Sequence, residues 1–417
     1  MIVTRLENGL AVGRSPREGT AAVTILVAFD AGTRSEGREE NGVAHFLEHL
    51  VFKGGNRYPT HREVNAAADR LGARLNAQTS HELVAFHIRA RAERAMEAAD
   101  LLTDILARPR LDRDELERER GVVLQEIARS DDEPRSRAID LSGVAAFGDH
   151  PLGRKILGSP QTLEAVGRDE VLDFRSRTWS PARGCALIVG NDSELRSSGA
   201  LEQLIDGLPS AAPPPGGAAA PPHEARVMVE ERDSRQSHLV LTWRAGAPVG
   251  DPAARAALTV YAMLLGGSMG SRLVTEIRER RGWAYSVRAE ADLLSDAAVL
   301  QVTAGLASEH AVEAERRMQK IVAELAAERP GEEEFDRARS AAAGRRALAF
   351  ENTTTAAIHM AEELVIHGHE TDPADAVARL DSVVLDDVVA VARSITQPAA
   401  IACVGPHREA DFAGVQG

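Results

Sequence analysis

The chain has 417 residues, 44% of them hydrophobic and 27% charged, with a formal net charge of -14. That length exceeds what one hydrophobic core usually holds and predicts two domains. The acidic balance argues against broad nucleic-acid binding, which needs basic patches, and makes a peptide or cationic ligand the easier partner.

The first residues, "MIVTRLENGLAVG", lack an apolar signal core, and Glu7 arrives early. No stretch of about 18 or more apolar residues follows. The expectation is a soluble, cytoplasmic protein with no membrane partner. "VTILVAFDAG", Val23 to Gly32, is β-branched and reads as a strand. "GVAHFLEHLVFKGG", Gly42 to Gly55, reads as a short helix whose closing glycine pair serves as its C-cap. On a helix, positions i, i+3 and i+4 share a face, so His45, Glu48 and His49 point the same way. Two such imidazoles can hold one metal ion with the carboxylate beside it. The bland alternative is an amphipathic helix with polar residues at its edge.

Apolar spacings of three and four make "HREVNAAADRLGARL" and "RAERAMEAADLLTDILA" amphipathic helices. Overlapping the first of these, "RLNAQTSHELVAFHI" reads as a strand or hairpin. "LDRDELERERGVVLQEIARSDDEP", Leu111 to Pro134, is helical, with Asp112 as its cap. Its Glu119 and Glu126 are two turns apart and share a face. "ELERERG" alone is a solvated charged surface. Glu126, following "GVVLQ" and preceding Ile127, belongs nearer the buried side. A catalytic zinc site takes three protein ligands and leaves one position open, and this helix is the best source of a third.

"LPSAAPPPGGAAAPPHEARV" near the middle suits neither a regular helix nor a central strand and reads as a linker. On either side of it the sequence repeats. Gly32 and Gly246 close similar strands 214 apart, and Gly190 and Gly405 close two more, 215 apart. Before each closing strand lies a similar helix–Pro pattern, Leu163–Pro181 and Leu380–Pro398. The reading is an α+β fold of two tandem copies, residues 1–208 and 225–417 joined by the linker 209–224. Each copy is a mainly antiparallel sheet with helices on one face. Cys185 and Cys403 sit in the two closing strands, where a buried, inert thiol is expected. The second copy's counterpart of the histidine helix is "AALTVYAMLLGG", with no histidine or glutamate. The fold therefore does not need His45, Glu48 and His49. "LLGGSMGSRL" lacks phosphate-loop spacing and reads as a flexible connection. "SRLVTEIRERRGWAYSV" reads as a basic helix end followed by a strand.

His45-x-x-Glu48-His49 is the inverted zinc motif. With seventy-six residues between His49 and Glu126, the chain resembles the pitrilysin/insulinase family of zinc peptidases. Within it, the chain is similar to the half-length type, mitochondrial processing peptidase and its bacterial relatives. The likeness extends through "HFLEHLVFKGG", "LNAQTSHELVAFH", the linker and the degenerate second copy. It implies Zn²⁺ held by His45, His49 and Glu126, and Glu48 as general base. Glu119 matches a further family acid, with an outer-shell or substrate-facing role. The resemblance also implies that Asn76 and Ala77 lie on an edge strand that pairs with an extended peptide. Arg278 and Tyr285 match a pair that contacts the substrate near the scissile bond. Four copies of the domain enclose the family's cleft, so the implied assembly is a homodimer, or a heterodimer with a related chain. The competing function is a catalytically silent structural or partner subunit. Such members lose ligands or the base, and this chain has both.

Overall fold

The computed structural model describes residues 1–191, 201, 207–209, 217–395 and 397–412. Residues 210–216, most of the first half of the expected linker, lie outside the described residues. The chain forms two compact units. The first comprises Met1–Ile127, Lys155–Ala218 and Leu348–Pro373, and the second Ala128–Arg154, Ala219–Ala347 and Ala374–Gly417.

The first unit holds a six-stranded sheet. Its strands are β1 (Ile2–Arg5), β2 (Ala11–Pro16), β3 (Ala22–Phe29), β4 (Arg74–Thr79), β5 (Val84–Arg91) and β6 (Gly184–Gly190), ordered β1-β2-β6-β3-β5-β4. All its pairings are antiparallel except β2 with β6. The second unit holds β7 (Val227–Glu231), β8 (Gln236–Ala245), β9 (Ala284–Leu293), β10 (Ala298–Ala307) and β11 (Ala400–Gly405), ordered β7-β11-β8-β10-β9. Here β7 with β11 is the parallel pair. Without β1, the two sheets have the same order and the same strand directions, so the sequence repeat is a repeat of topology. In both sheets one edge is the third strand of the repeat, β4 in the first and β9 in the second.

The first unit also contains α1 (Val43–Val51), α2 (His61–Leu71), α3 (Ala95–Ala107) and the first part of α4 (Arg113–Asp132). Alternate residues Val23, Ile25, Val27 and Phe29 of β3 face a core with Phe46 and Leu50 of α1 and Leu101 and Leu102 of α3. The intervening Thr24, Leu26 and Ala28 are buried as well. A helix from the far end of the sequence, Thr353–Val365, packs on β3, β5 and β6. The Thr24 hydroxyl lies 2.8 Å from that of Thr353. The second unit mirrors this arrangement. Leu239, Leu241 and Trp243 of β8 face the main core. Val240, with Ala402 and Val404 of β11, meets Ala138 and Leu141 of α5 (Pro134–Phe147). Each sheet therefore has a helical layer on one face and a single helix, drawn from the other half of the sequence, on the other. Buried on both faces, β3 and β6 read as continuous apolar runs rather than alternating ones.

Two local expectations change. α1 ends at Val51 with Phe52 as its C-cap, so the glycine pair is not the cap. Gly54 adopts a φ of +142°, and a Cβ there would sit 2.5 Å from the Pro59 carbonyl oxygen. The pair permits a tight reversal. The segment expected to be a flexible connection opens in a wide π-helical turn, Met263–Gly267, passes through a turn at residues 268–271, and leads into a second π-helical stretch, Val274–Arg280. A Cβ on Gly266 would meet the Ala289 backbone nitrogen of β9 at 2.6 Å, so this glycine serves close packing. Both cysteines are buried, and burial pushes each thiol up to about 12. No helix among the described residues is long and apolar enough to cross a membrane.

Candidate metal centre

The N-terminal turn of α1 is held from outside the helix. The buried Glu36 carboxylate accepts the Gly42 and Ala44 backbone N–H groups at 2.9 and 2.8 Å, and the Asn41 amide at 2.8 Å. Gly42 itself has a φ of +101°, and a Cβ there would approach the Leu157 carbonyl oxygen to 2.8 Å. Burial of Val43, Phe46, Leu47, Leu50 and Val51 then sets the rotation of the helix. That rotation turns His45, Glu48 and His49 toward α4.

His45, His49 and Glu126 offer ligand atoms that all lie within 4.8 Å of one another. Glu126 Oε2 is 3.9 Å from His45 Nε2 and 3.5 Å from His49 Nε2. The imidazole rings stand 4.6 Å apart at 64°. On its far side, the His49 ring meets Glu119, with Nδ1 2.8 Å from Oε1. The other Glu119 oxygen is 2.5 Å from Lys53 Nζ. A Nδ1–H donated to Glu119 fixes the tautomer and leaves the Nε2 lone pair facing Glu126 and His45, as a metal ligand requires. The donor set of two imidazoles and a carboxylate suits zinc, and three ligands leave a position open.

The burial of the two α4 acids is the reverse of the sequence expectation. Glu119 is buried, whereas the Glu126 side chain is 44% exposed. Glu119 is drawn inward by His49 and Lys53, while Glu126 faces the open side of the histidines. Solvation and burial act strongly here. Burial lowers His45 to about 4, with the neighbouring His49 adding to the effect. Burial also pulls His49 down, but the Glu119 hydrogen bond and the charges of Glu119, Glu48 and Glu126 carry it above its ordinary value. Glu119 is pushed up by burial, yet His49 and Lys53 hold it below the usual carboxylate range. Glu48 is raised by burial, and the Thr79 hydroxyl, which donates to its Oε2 at 2.5 Å, offsets part of that.

Asn76 and Ala77 lie on edge strand β4, paired with His87 and Phe86 of β5. Thr79, which ends β4, links that edge to Glu48. Arg278 and Tyr285 belong to the second unit. Tyr285, near the start of β9, is 55% exposed. Its ring lies where a side chain on Gly305 would be. Arg278 ends close to the Met269 sulfur, at 3.7 Å, and to Glu279. Three contributors were not singled out in the sequence: Glu36, Lys53 and Thr79. None carries a motif. Lys53, four residues after His49, was the most accessible, because i and i+4 residues lie near one another.

Comparison with known proteins places this geometry in context. Residues 14–160 match the model described as Insulinase (Peptidase family M16), and residues 165–342 the model described as Peptidase M16 inactive domain. The chain is 31% identical over 412 residues to an uncharacterized zinc protease of Mycobacterium tuberculosis, covering 97% of this chain and 93% of the relative. It is 28% identical over 403 residues to the uncharacterized zinc protease YmxG of Bacillus subtilis, covering 96% and 97%. Among solved structures, a Helicobacter pylori protease superposes with a TM-score of 0.87 at 21% identity, covering 97% of this chain and 98% of that one. A Pseudomonas fluorescens structure described as a peptidase M16 inactive domain gives 0.88 at 18% identity, covering 98% of each.

Proposed function

Because the chain belongs to the insulinase family of peptidases, family M16, we propose that it is a zinc-dependent endopeptidase acting on extended peptides or unfolded segments. The observation that carries this reading is the convergence of His45, His49 and Glu126 with Glu48 half-buried on the same helix. Zinc bound there supplies Lewis acidity toward a carbonyl oxygen and toward water. Glu48, one turn from His45 and beside His49, takes the proton from the attacking water and returns it to the leaving amine. Thr79 fixes the Glu48 carboxylate. Glu119 and Lys53 hold the His49 ring. Asn76 and Ala77 on the β4 edge pair with the peptide main chain, which gives affinity with little sequence demand. Tyr285 donates to the oxygen that gains charge, and Arg278 holds a neighbouring carbonyl.

The test is metal content together with hydrolysis of a mixed peptide library. The expected result is one zinc per chain and cleavage that a chelator abolishes and added zinc restores. Zinc binding with no cleavage of any peptide would favour the silent-subunit reading instead.

The proposed assembly is a homodimer in which the zinc of one subunit works with Arg278 and Tyr285 of the other. Mixing Glu48→Gln protein with Tyr285→Phe protein, each inactive, tests it. Recovery should reach about a quarter of wild-type activity, because half the dimers are mixed and each has one intact site. If subunit exchange is confirmed and no activity returns, this arrangement is excluded.

A further inference from the structure

Glu36 is six residues ahead of Gly42, yet both its oxygens serve the first turn of α1. It is buried, and its hydrogen-bond donors are the backbone N–H groups of Gly42 and Ala44 and the Asn41 amide. Among the described residues, no cationic side chain pairs with it. A buried carboxylate in such a setting is costly. The cost is visible in its acidity: burial pushes the carboxyl up to about 7 despite three N–H donors and a helix N-terminus.

The repeat shows that the fold has a cheaper way to do the same thing. The matching helix of the second unit, Pro252–Ala262, is capped by its own Asp251, whose side chain accepts the Ala253 N–H from an exposed position. It starts with proline, and among the described residues no remote buried acid reaches its first turn. That helix carries no metal ligand. The remote clamp accompanies the helix with ligands, and the ordinary cap accompanies the helix without them.

The clamp is also connected on its far side. Asn41, besides donating to Glu36, donates to the Lys155 carbonyl at 3.1 Å, and the Asn41 carbonyl accepts from the Thr162 hydroxyl at 2.7 Å. Ala44, which Glu36 holds, directly precedes His45. A shift of the first turn along or around the axis would therefore move His45 relative to Glu126 on α4, while His49, held separately by Glu119, would be less affected.

We propose that Glu36 is a positioning residue for the metal centre: it fixes the first turn of α1 so that His45 meets His49 and Glu126. The inference rests on the zinc site proposed above. It does not depend on catalysis, so metal binding is its readout.

The experiment compares Glu36→Gln, His45→Ala and, as the control at the matching cap, Asp251→Asn. Zinc affinity is measured by competition with a chromophoric chelator, and ligand geometry by the visible absorption bands of the Co²⁺-loaded protein. Circular dichroism checks folding. In Glu36→Gln an NH₂ group faces N–H donors, so zinc should bind about 10–100-fold more weakly, the range seen when outer-shell partners are removed. Its Co²⁺ bands should shift, and those of Asp251→Asn should not. Should Glu36→Gln fail to fold, Asn41→Ala removes one of its donors and should weaken zinc in the same direction. A folded Glu36→Gln protein, or in its place a folded Asn41→Ala protein, with wild-type zinc affinity and wild-type Co²⁺ bands overturns the inference. If His45→Ala still loses zinc in that case, the metal site stands and only the role of Glu36 falls. Wild-type protein that binds no zinc overturns both.

Discussion

The Val43–Val51 helix of the first unit and the Pro252–Ala262 helix of the second hold matching places in the repeat, and each runs toward a glycine pair. Their surroundings differ in kind. In the first unit, His49 meets the buried Glu119, which Lys53 also holds. In the second, Glu334 stands 215 residues after Glu119, the interval that also separates Gly190 from Gly405. Glu334 receives Arg272 in a two-pronged pair at 2.7 and 2.9 Å. Ala341 stands at the same interval from Glu126, so the position matching the third ligand has no donor. The helix itself offers Leu258, Val260 and the buried Tyr261 to the core. An acid survives at the matching α4 position in both units because each gives it a cationic or hydrogen-bonding partner. The candidate ligand atoms of His45, His49 and Glu126 stand in the unit where Glu119 and Lys53 orient the His49 ring. Unpartnered polar groups are costly when buried, so a copy without a metal has no physical reason to keep histidines there.

The largest expected effect comes from making the first helix resemble the second at one group. Glu48→Gln keeps every ligand and removes the proton acceptor. Hydrolysis should fall by about 10²–10⁴-fold with zinc content unchanged. Retention of more than about a hundredth of the activity would remove Glu48 from the role of base.

A second expectation concerns protons in the metal-free protein. Burial lowers His45 from 6.5 to about 4. Between those values the unfolded chain binds the proton and the folded chain does not, so stability falls as pH drops through the window. The shift corresponds to at most about 3 kcal/mol. Denaturant titrations in chelator, from pH 7 to pH 4, should show a steeper loss for wild type than for His45→Ala. The matching second-unit helix, without a histidine, has no such contribution. Parallel pH curves for the two proteins would contradict the assigned burial of His45.

Separating the acids of α4 sharpens the contrast further. Glu126→Gln removes a charged ligand, whereas Glu119→Gln only releases the His49 ring. Zinc affinity should drop by more than about 100-fold for the first and by about 10-fold for the second, with turnover hit harder than metal retention. Equal zinc loss after dialysis, read by elemental analysis, would mean that the two roles are wrongly divided.

Much of this arrangement was legible in the sequence. The 214- and 215-residue intervals between strand ends correspond to matching strands of two sheets with one topology. The spacing of His45, Glu48 and His49 placed them on one helical face, and the resemblance supplied Glu119, Glu126, Arg278 and Tyr285. What stayed hidden was non-local. An amphipathic pattern shows that Thr353–Val365 has a buried face but not that this face covers β3 and β6, some 165 to 330 residues earlier. Glu36, in the polar run "SEGREENG", looks like a surface acid. Only the return of the chain over α1 makes it an internal clamp. The burial of Glu119 relative to Glu126 was likewise set by His49 on α1 and Lys53 just beyond its end.

The smallest expected effect tests the comparison from the second unit. Glu334 and Arg272 are each about a quarter exposed, so their pair is partly solvated. A two-pronged, charge-assisted contact of this kind contributes on the order of 1 kcal/mol. Glu334→Gln keeps the shape and one acceptor but removes the charge, and the Tm should fall by roughly 2–4 °C, the shift expected for that energy in a unit of this size. Zinc affinity should stay at the wild-type value, because no ligand belongs to that unit and the matching Ala341 offers no donor. The same substitution at Glu119 should do the opposite, changing zinc affinity and turnover. Its effect on Tm, measured without metal, should be no larger, since among the described residues it loses only the partners Lys53 and His49. The pair of variants thus asks one question of two matching carboxylates: whether each holds a ligand or only a neighbour. If Glu334→Gln lost zinc as readily as Glu119→Gln, the second unit would have a part in the metal centre that its side chains do not explain, and the division between an equipped copy and a structural one would fail.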